Sequence, residues 1–289
     1  MTHTPTIRRR PLLFRRLGDS LLSAFSLASI IVAVGSMAWI LATVLIHGSA
    51  AIGADILFSP SKPYGEPGGG IANALLGSLF ITLGAALLAV PPAMAAGIYL
   101  AEYGKGRRVA DILRFCANVL MGLPSILVGL FVYVLIVMPA GHFSGLAGTV
   151  ALAIIMFPVV MRTTEDMMAM VPDTMRESAL ALGMTRMRTI LCIIARSSKN
   201  GLATGVLLSL ARVSGETAPL LFTAMFADTW PTGFFREPVA NIPVLITEYT
   251  TNSPFESMHA LGWAAALVIA ACVLLVNILT RIIFHEQKH

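Results

Sequence analysis

An arginine and a glutamate stand inside an otherwise apolar run of this sequence. Arg212 and Glu216 lie four residues apart within 201–227, a spacing that brings two side chains to one face of a helix. A charge at the centre of a bilayer costs about 2.5–3.5 kcal/mol on insertion scales, so each must be paired or must face water or protein. A guanidinium can hold two oxygens of an oxyanion through forked hydrogen bonds. The two residues therefore either line an anion passage or form an ion pair that only orients their helix.

Two hydroxyl groups, those of Ser214 and Thr217, add hydrogen-bond donors to the same stretch. Hydroxyls in membrane helices often bond instead to carbonyls of their own helix. We take Arg212, Glu216, Thr217 and Ser214 as the candidate lining of a substrate pathway, in which Glu216 holds Arg212 in position.

The composition indicates that these residues are surrounded by a membrane. Of the 289 residues, 56% are hydrophobic and 12% are charged, whereas about 25% are charged in soluble domains. The mean hydropathy is +0.81, which excludes a secreted enzyme, a disordered regulator and a DNA-binding domain. Cys116, Cys192 and Cys272 lie far apart and predict neither a disulfide framework nor a metal site. The chain is predicted to be an all-α, polytopic membrane protein.

Six apolar runs are long enough to cross a bilayer, which takes about 20 residues. They are 22–46, 71–100, 113–138, 143–161, 201–227 and 260–284. The predicted organisation is a basic cytoplasmic segment at 1–21, a six-helix transmembrane domain at 22–284 and a cytoplasmic tail at 285–289. The first run is not expected to be a cleaved signal peptide, because its apolar core is too long.

The basic residues predict how the helices are oriented. Seventeen of the 20 Lys and Arg residues flank the runs on one side, and only Lys62 and Arg236 lie on the other. Because basic loops stay in the cytoplasm, both termini are expected there, in a cytoplasmic (inner) membrane. The net charge of +5 is then explained by topology and not by nucleic acid. The opposite loops are net acidic, so an anionic cargo would need another protein to deliver it.

Prolines divide the six runs into two groups. Each of the four central runs contains at least one proline, namely Pro91 and Pro92, Pro124, Pro158 and Pro219, and the first and last runs contain none. Proline removes a backbone hydrogen bond inside a helix. The central runs are therefore predicted to form a kinked core that lines a pathway, with straight first and last helices at the periphery. Gly201 and Gly205 form a GxxxG pattern, which is typical of close helix packing.

The longest loop on the basic side, 162–200, carries the signals of two short helices. Thr174 and Glu177 have the spacing of a capping box at a helix start. Gly183 supplies the left-handed residue that ends this helix, and a second helix is predicted to begin near Thr185. A short helix held between two spans is well placed for a cytoplasmic partner to push.

Part of this loop, ESALALG at 177–183, resembles the Glu-Ala-Ala loop of ABC-importer permeases. The chain keeps Glu177, Ala179 and Gly183 of that pattern, and it departs from the pattern at Ser178 and at 195–196, where Ala-Arg replaces Leu-Pro. Three further segments resemble the phosphate-specific permeases of this family. They are GIYLAEYG at 97–104, PSILVGLFVY at 124–133 and ARVSGETAPLLFTA at 211–224.

This resemblance implies the fold and the assembly of a type I ABC-importer permease. Such a chain would be a membrane-spanning subunit of an ATP-driven inorganic phosphate importer. Its partners would be a second, similar permease, two ATPase subunits and an external phosphate-binding protein. Thr174, Glu177, Ala179 and Gly183 would couple the chain to an ATPase, and the external loop 228–259 would receive the binding protein. No cofactor or metal is expected.

Other functions stay open or are disfavoured by the residues. A permease for sulfate, molybdate or phosphonate stays open, as does a proton-coupled carrier that uses Arg212 and Glu216. No P-loop occurs, so ATP hydrolysis would belong to a partner chain. An enzyme is not expected, because no catalytic constellation stands out. The tail 285–289 spells HExxH, but a free terminus cannot close a zinc site. The neighbouring carboxylates of Glu165 and Asp166 are expected to be solvated.

Overall fold

A computed structural model describes residues 12–63, 65, 66 and 68–283 of the chain. These residues form helices, turns and loops, with no strand among them, which confirms the all-α prediction. The first eleven residues of the predicted basic segment lie outside the described residues. The predicted tail 285–289, with its HExxH pattern, also lies outside them.

Twelve helices are named here in chain order. They are α1 (Leu12–Ala51), α2 (Ala54–Phe58), α3 (Ala72–Tyr103), α4 (Arg108–Gly122), α5 (Ser125–Val132), α6 (Gly145–Ala169), α7 (Asp173–Ala181), α8 (Arg186–Thr189), α9 (Lys199–Val213), α10 (Ala218–Leu221), α11 (Ile242–Thr247) and α12 (Glu256–Ile283). Three-residue helical turns lie at Met138–Ala140, Pro231–Gly233 and Ala195–Ser197. Short π-helical turns at Tyr133–Val137, Ile190–Ile194 and Glu248–Asn252 continue α5, α8 and α11.

Within the described part of the chain, four helices are long and apolar enough to cross a membrane. They are α1, α3, α6 and α12, and they correspond to the first, second, fourth and sixth predicted runs. The third predicted run is divided between α4 and the segment Ser125–Ala140, which meet at an angle of 101°. If this bent pair is one span, the count rises to five, so the predicted count of six is not confirmed.

The bend between α4 and α5 arises at Pro124. A proline disfavours helical geometry in the residue before it, and Leu123 is accordingly extended, with φ −73° and ψ 137°. Other prolines leave their helices continuous, since Pro91 and Pro92 lie inside α3 and Pro158 lies inside α6. The effect of a proline on these helices therefore depends on its packing.

The run 201–227, predicted to be a kinked membrane helix, does not form a single helix. Helix α9 ends at Val213, and only the four-residue helix α10 follows, from Ala218 to Leu221. Pro219 has no N–H for a longer helix. Its Cα packs so close to Gly129 of α5 that a Cβ on that glycine would lie 2.6 Å from it. The break between α9 and α10 is thus held by contact with the bend region.

Helix α6 lies at the centre of the described fold. In its most apolar stretch 61% of the residues are buried, against none in α1 and 17% in α12. Its main packing partner is α3, through a core that includes Ile81, Leu152, Met156 and Val160. Helix α1 packs mainly on α12. The prediction of peripheral first and last helices is confirmed.

The GxxxG pattern at the start of α9 brings this helix close to α6. A Cβ on Gly205 would collide with Thr163, and a Cβ on Gly201 would collide with the sulfur of Met167. The prediction of close packing is confirmed, because side chains of α6 occupy the space that a Cβ would need at both positions.

Candidate functional site

The end of α9 opens onto a small cavity beside the α4–α5 bend. The cavity has a volume of about 100 Å³ and is lined by Arg212, Glu216 and Ser125, by Leu123 of the bend, and by apolar residues of α4, α5 and α6 such as Val159. Two of the four predicted pathway residues are therefore brought to one cavity. Their charges are the only ones in its lining.

Arg212 and Glu216 reach this cavity in a different way from the one that the sequence predicts. Glu216 follows the end of α9, so the two residues do not occupy successive turns of one helix. Arg212 is exposed and Glu216 is half-buried. In the described part of the chain the Arg212 side chain makes neither a hydrogen bond nor an ion pair. The alternative of an ion pair that only orients the helix is therefore not observed.

Ser214 and Thr217, the two predicted hydroxyl residues of the pathway, do not line the cavity that contains Arg212. Ser214 donates to the carbonyl of Ala211 at 2.9 Å, as hydroxyls in membrane helices commonly do, and it lines a second, apolar cavity of about 400 Å³ between α3, α9 and α12. Thr217 is half-buried before α10. The structure does not bring either side chain into the Arg212 cavity.

Ser125 is a cavity residue that the sequence interpretation missed. It begins α5 directly after Pro124, and the bend turns it toward the cavity that Arg212 lines. The sequence motif at 124–133 marks this segment, but the sequence does not give the angle of the bend that brings Ser125 to the cavity.

The helix predicted to contact a partner is α7, and its start differs from the prediction. Helix α7 begins at Asp173, the N-cap residue is Pro172, and no side chain caps it. Thr174 therefore lies within the first turn, and the predicted capping box with Glu177 is wrong. Asp173 supplies a negative charge beside the free backbone amides of the first turn. This charge stabilises the helix through its favourable interaction with the helix dipole.

The predicted end of α7 is confirmed. Gly183 has φ +80°, in the left-handed region where glycine carries no steric cost. Its N–H donates to the carbonyl of Leu180 at 3.0 Å, and the N–H of Met184 donates to the carbonyl of Ala179 at 3.2 Å. This pair of bonds is a Schellman motif. The predicted helix near Thr185 is also confirmed, as α8 with Thr185 at its N-cap.

The predicted coupling residues divide between the two faces of α7. Ala179 is buried, whereas Thr174 and Glu177 are exposed. Large apolar side chains are exposed beside them, with Leu182 84% and Met187 59% accessible. An exposed apolar surface beside a polar rim is typical of a protein-binding site.

Arg176 ties α7 to the end of α3. Its Nη2 lies 2.9 Å from Oε1 of Glu102, and only 16% and 5% of the two side chains are exposed. The sequence interpretation treated Arg176 only as a basic loop residue. Its partner lies 74 residues away in the chain, so no local pattern could reveal the pair.

A second ion pair lies at the same end of the molecule, and it corrects the expectation for Glu165. The carboxylate of Glu165 accepts bonds from Nε of Arg114 at 2.7 Å and from Nη1 of Arg162 at 3.1 Å. Glu165 is buried and is not solvated, whereas Asp166 is half exposed. The pair joins α4 to α6.

The loop at the opposite end contains a partly buried carboxylate. Among the residues that the structure describes, Oδ1 of Asp228 has no hydrogen-bond partner and is buried. Burial raises the pKa of this carboxyl above its ordinary value of 3.8, although a bond from Ser61 opposes the shift. Burial, with the nearby charge of Asp228, raises the pKa of Tyr249 to about 12. Three aromatic residues of the loop 228–259 are exposed, namely Trp230, Phe235 and Phe255.

The arrangement resembles that of a solved transporter chain. The fold matches a chain of the MetNI methionine ABC transporter, determined in inward-facing conformations, with a TM-score of 0.62 over 74% of this chain and 94% of that chain. The sequence identity is 14%, so this similarity concerns the fold alone. It supports the expected fold of an ABC-importer permease.

Relatives with known names are similar over nearly the whole length. The phosphate transport system permease protein PstA of Yersinia pestis is 42% identical over 98% of this chain and 95% of its own length. The protein of the same name from Haemophilus influenzae is 44% identical over 95% of this chain and 96% of its own length.

The region that contains the cavity, α7 and both ion pairs also matches a family description. Residues 93–288 match the family "Binding-protein-dependent transport system inner membrane component". Together with the relatives, this match shows that the chain belongs to the family of membrane components of binding-protein-dependent ABC transporters.

Proposed function

We propose that this chain is one of two similar permease subunits that frame a pathway for inorganic phosphate in an ATP-driven importer. The observation that carries the proposal is the exposed guanidinium of Arg212, which has no partner among the described residues and lies on a cavity with otherwise mainly apolar walls. The relatives that are named phosphate transport permeases support the choice of anion.

The cavity has the chemistry that a weakly held anion requires. Arg212 is free to form a forked pair of hydrogen bonds with two oxygens of phosphate. Glu216, on the same lining, repels the anion and lowers its affinity, which favours release over trapping. Ser125 adds a neutral hydroxyl. A pathway residue must bind the anion less tightly than a binding protein does, and this mixture of charges meets that need.

Coupling to two ATPase subunits is assigned to α7 and the residues around it. The polar Thr174 and Glu177 and the apolar Leu182 and Met187 are exposed there. Buried Ala179 keeps the helix seated on the chain's own surface. In this proposal an ATPase groove receives the exposed face, and closure of the ATPases moves α7.

The orientation follows from this assignment. The end that carries α7, together with both termini, faces the cytoplasm, and the loop 228–259 faces outward. The exposed Trp230 and Phe235 are the contacts that we assign to an external phosphate-binding protein. Such a protein delivers the anion past a loop region whose own charge is net acidic.

The experiment is uptake of labelled phosphate by cells that lack their own high-affinity phosphate uptake. The cells express this chain with its partner permease, ATPase and binding protein. We expect uptake that stops when ATP is depleted, that continues in the presence of an uncoupler, and that excess unlabelled phosphate abolishes.

Two results would contradict the proposal. Uptake that survives ATP depletion but stops with the uncoupler would indicate a proton-coupled carrier. Stronger competition by sulfate, molybdate or a phosphonate than by phosphate would indicate a permease for another oxyanion.

A further inference from the structure

We propose that Arg176 is the positioning residue that transmits movement of α7 to both α3 and α6. The inference rests on the proposed function, because it assumes that an ATPase moves α7. Arg176 itself touches neither the anion cavity nor the exposed partner face.

The guanidinium of Arg176, which belongs to α7, is hydrogen-bonded to α3, to the end of α6 and to the start of α7. Toward α3, its Nε and Nη2 donate to Oε1 of Glu102 at 3.1 and 2.9 Å. Toward α6, Nη2 donates to the carbonyl of Met168 at 2.8 Å. Nη1 donates to the carbonyl of Val171 and to Oδ1 of Asp173, the first residue of α7.

These bonds use the geometry that only a guanidinium has. Arginine carries five N–H donors in a rigid plane, and the bonds to Glu102, Met168, Val171 and Asp173 engage all three of its nitrogens. Lysine has a single nitrogen on a flexible side chain, so it cannot make all of these hydrogen bonds at once. The planar shape of the guanidinium is therefore needed at this position as well as its charge.

The partners of Arg176 lie at the ends of the long helices. Glu102 is one residue before the end of α3, and Met168 is one residue before the end of α6. The last carbonyls of a helix lack intrahelical partners, and a cation is favoured beside them. The pair is largely shielded from water, so removing one partner leaves a buried charge uncompensated. A displacement of α7 would therefore break these bonds unless α3 and α6 move with it.

The connection continues to the proposed pathway. Helix α6 carries Ile155 and Val159, which line the cavity with Arg212. An α-helix is a rigid element over this distance, so a shift at Met168 is carried along α6 to the cavity wall.

A second arginine reinforces the same point on α3. Arg186 of α8 donates to the main-chain carbonyl of Glu102. Its guanidinium lies 4.5 Å from the ring centre of Tyr103, within the range of a cation–π contact. The segment on the far side of Gly183 is therefore tied to the end of α3 as well.

A neighbouring ion pair supplies the matched control. Lys105 follows the end of α3 and lies 3.7 Å from Asp173 of α7, with 78% and 66% of the two side chains exposed. It joins the same two elements, but an exposed pair contributes little. Lys105→Gln is therefore expected to leave transmission unchanged.

The test measures phosphate uptake and ATP hydrolysis by the complete transporter in liposomes supplied with its binding protein. We expect Arg176→Gln to lower the ratio of phosphate taken up to ATP hydrolysed at least tenfold, while hydrolysis continues. Arg176→Lys should not restore the ratio, and Lys105→Gln should keep that of the unmodified complex. A purely structural role would instead lower the amount of assembled complex, with the ratio unchanged.

An unchanged ratio in Arg176→Gln would overturn the inference. If that variant does not assemble, the ratio is measured in Glu102→Gln, whose neutral side chain keeps the size of the original. A fall in the ratio there supports the inference, and an unchanged ratio overturns it. Failure of the unmodified complex to take up phosphate would instead count against the proposed function.

Discussion

The carboxylate of Glu165, near the end of α6, accepts a 2.7 Å hydrogen bond from Nε of Arg114 in α4. Nη2 of Arg114 also donates to the carbonyl of Leu100 in α3 at 3.3 Å. One arginine of α4 therefore joins the last turns of α3 and α6. This arrangement parallels that of Arg176, and the two arginines stabilise the end of the molecule where α7 is attached.

We expect Glu165→Gln to destabilise this end of the fold. The change removes the buried carboxylate that Arg114 and Arg162 share and leaves them only the exposed carboxylates of Asp111 and Asp166. A buried hydrogen-bonding group that loses its partner costs about 1–3 kcal/mol. The midpoint of thermal unfolding in detergent should fall. Asp166→Asn is the control, because Asp166 is half exposed in its pair with Arg162 and should change the stability by less than about 0.5 kcal/mol. Equal midpoints for the two variants would contradict the assigned role of Glu165.

We expect Gly183→Ala to loosen the end of α7. A side chain at φ +80° costs about 1–2 kcal/mol, which corresponds to roughly tenfold faster exchange of the Gly183-position and Met184 amide hydrogens that close the helix. Hydrogen exchange detected by mass spectrometry measures this change. Gly122→Ala is the control, since a Cβ there meets nothing within 4 Å. Unchanged exchange around residues 179–184 would contradict the Schellman assignment.

We expect the pH dependence of stability to contain a contribution from Asp228. Burial raises the pKa of this carboxyl above 3.8, so the folded state holds the proton more tightly than the unfolded state. The resulting stabilisation is fully present below pH 3.8 and is lost as the pH rises through the raised pKa. Tyr249, with its pKa raised to about 12, stays neutral throughout this range.

The variant Asp228→Asn tests that contribution. It should unfold at a higher temperature than the unmodified protein at neutral pH, and the difference should shrink as the pH falls toward 3.8. Asp55→Asn is the control, because Asp55 is exposed. A difference in unfolding temperature between Asp228→Asn and the unmodified protein that does not vary with pH would contradict a carboxyl pKa raised by partial burial.

The long helices were predictable from the sequence because their signal is local. Apolar runs at the length of a bilayer mark α1, α3, α6 and α12, and Gly183 marks the end of α7 through its own backbone requirement. The break after Val213 was not predictable in this way. Hydropathy continues through it, and its geometry depends on the contact of Pro219 with α5.

The candidate site was predictable only in part. Arg212 and Glu216 stand out because membranes disfavour charge, and that reasoning does not depend on their exact geometry. In the sequence, Arg176 and Glu165 resemble ordinary loop charges. What distinguishes them is their burial and their pairing with residues distant in the chain, and a local sequence pattern shows neither of these properties. The predicted capping box failed because Thr174 and Glu177 had the right spacing one residue inside a helix that already begins at Asp173.

The guanidinium of Arg212, unpaired among the described residues, is the central group of the proposed phosphate pathway. Phosphate uptake by Arg212→Gln and Arg212→Lys, in complexes with equal amounts of inserted protein, tests it most directly. Arg196→Gln is the matched control, since Arg196 is exposed and lies outside the cavity. Loss of charged hydrogen bonds worth about 1.5–3 kcal/mol predicts at least tenfold slower uptake by Arg212→Gln, no full rescue by Arg212→Lys, and normal uptake by Arg196→Gln. Near-normal uptake by Arg212→Gln would contradict the account.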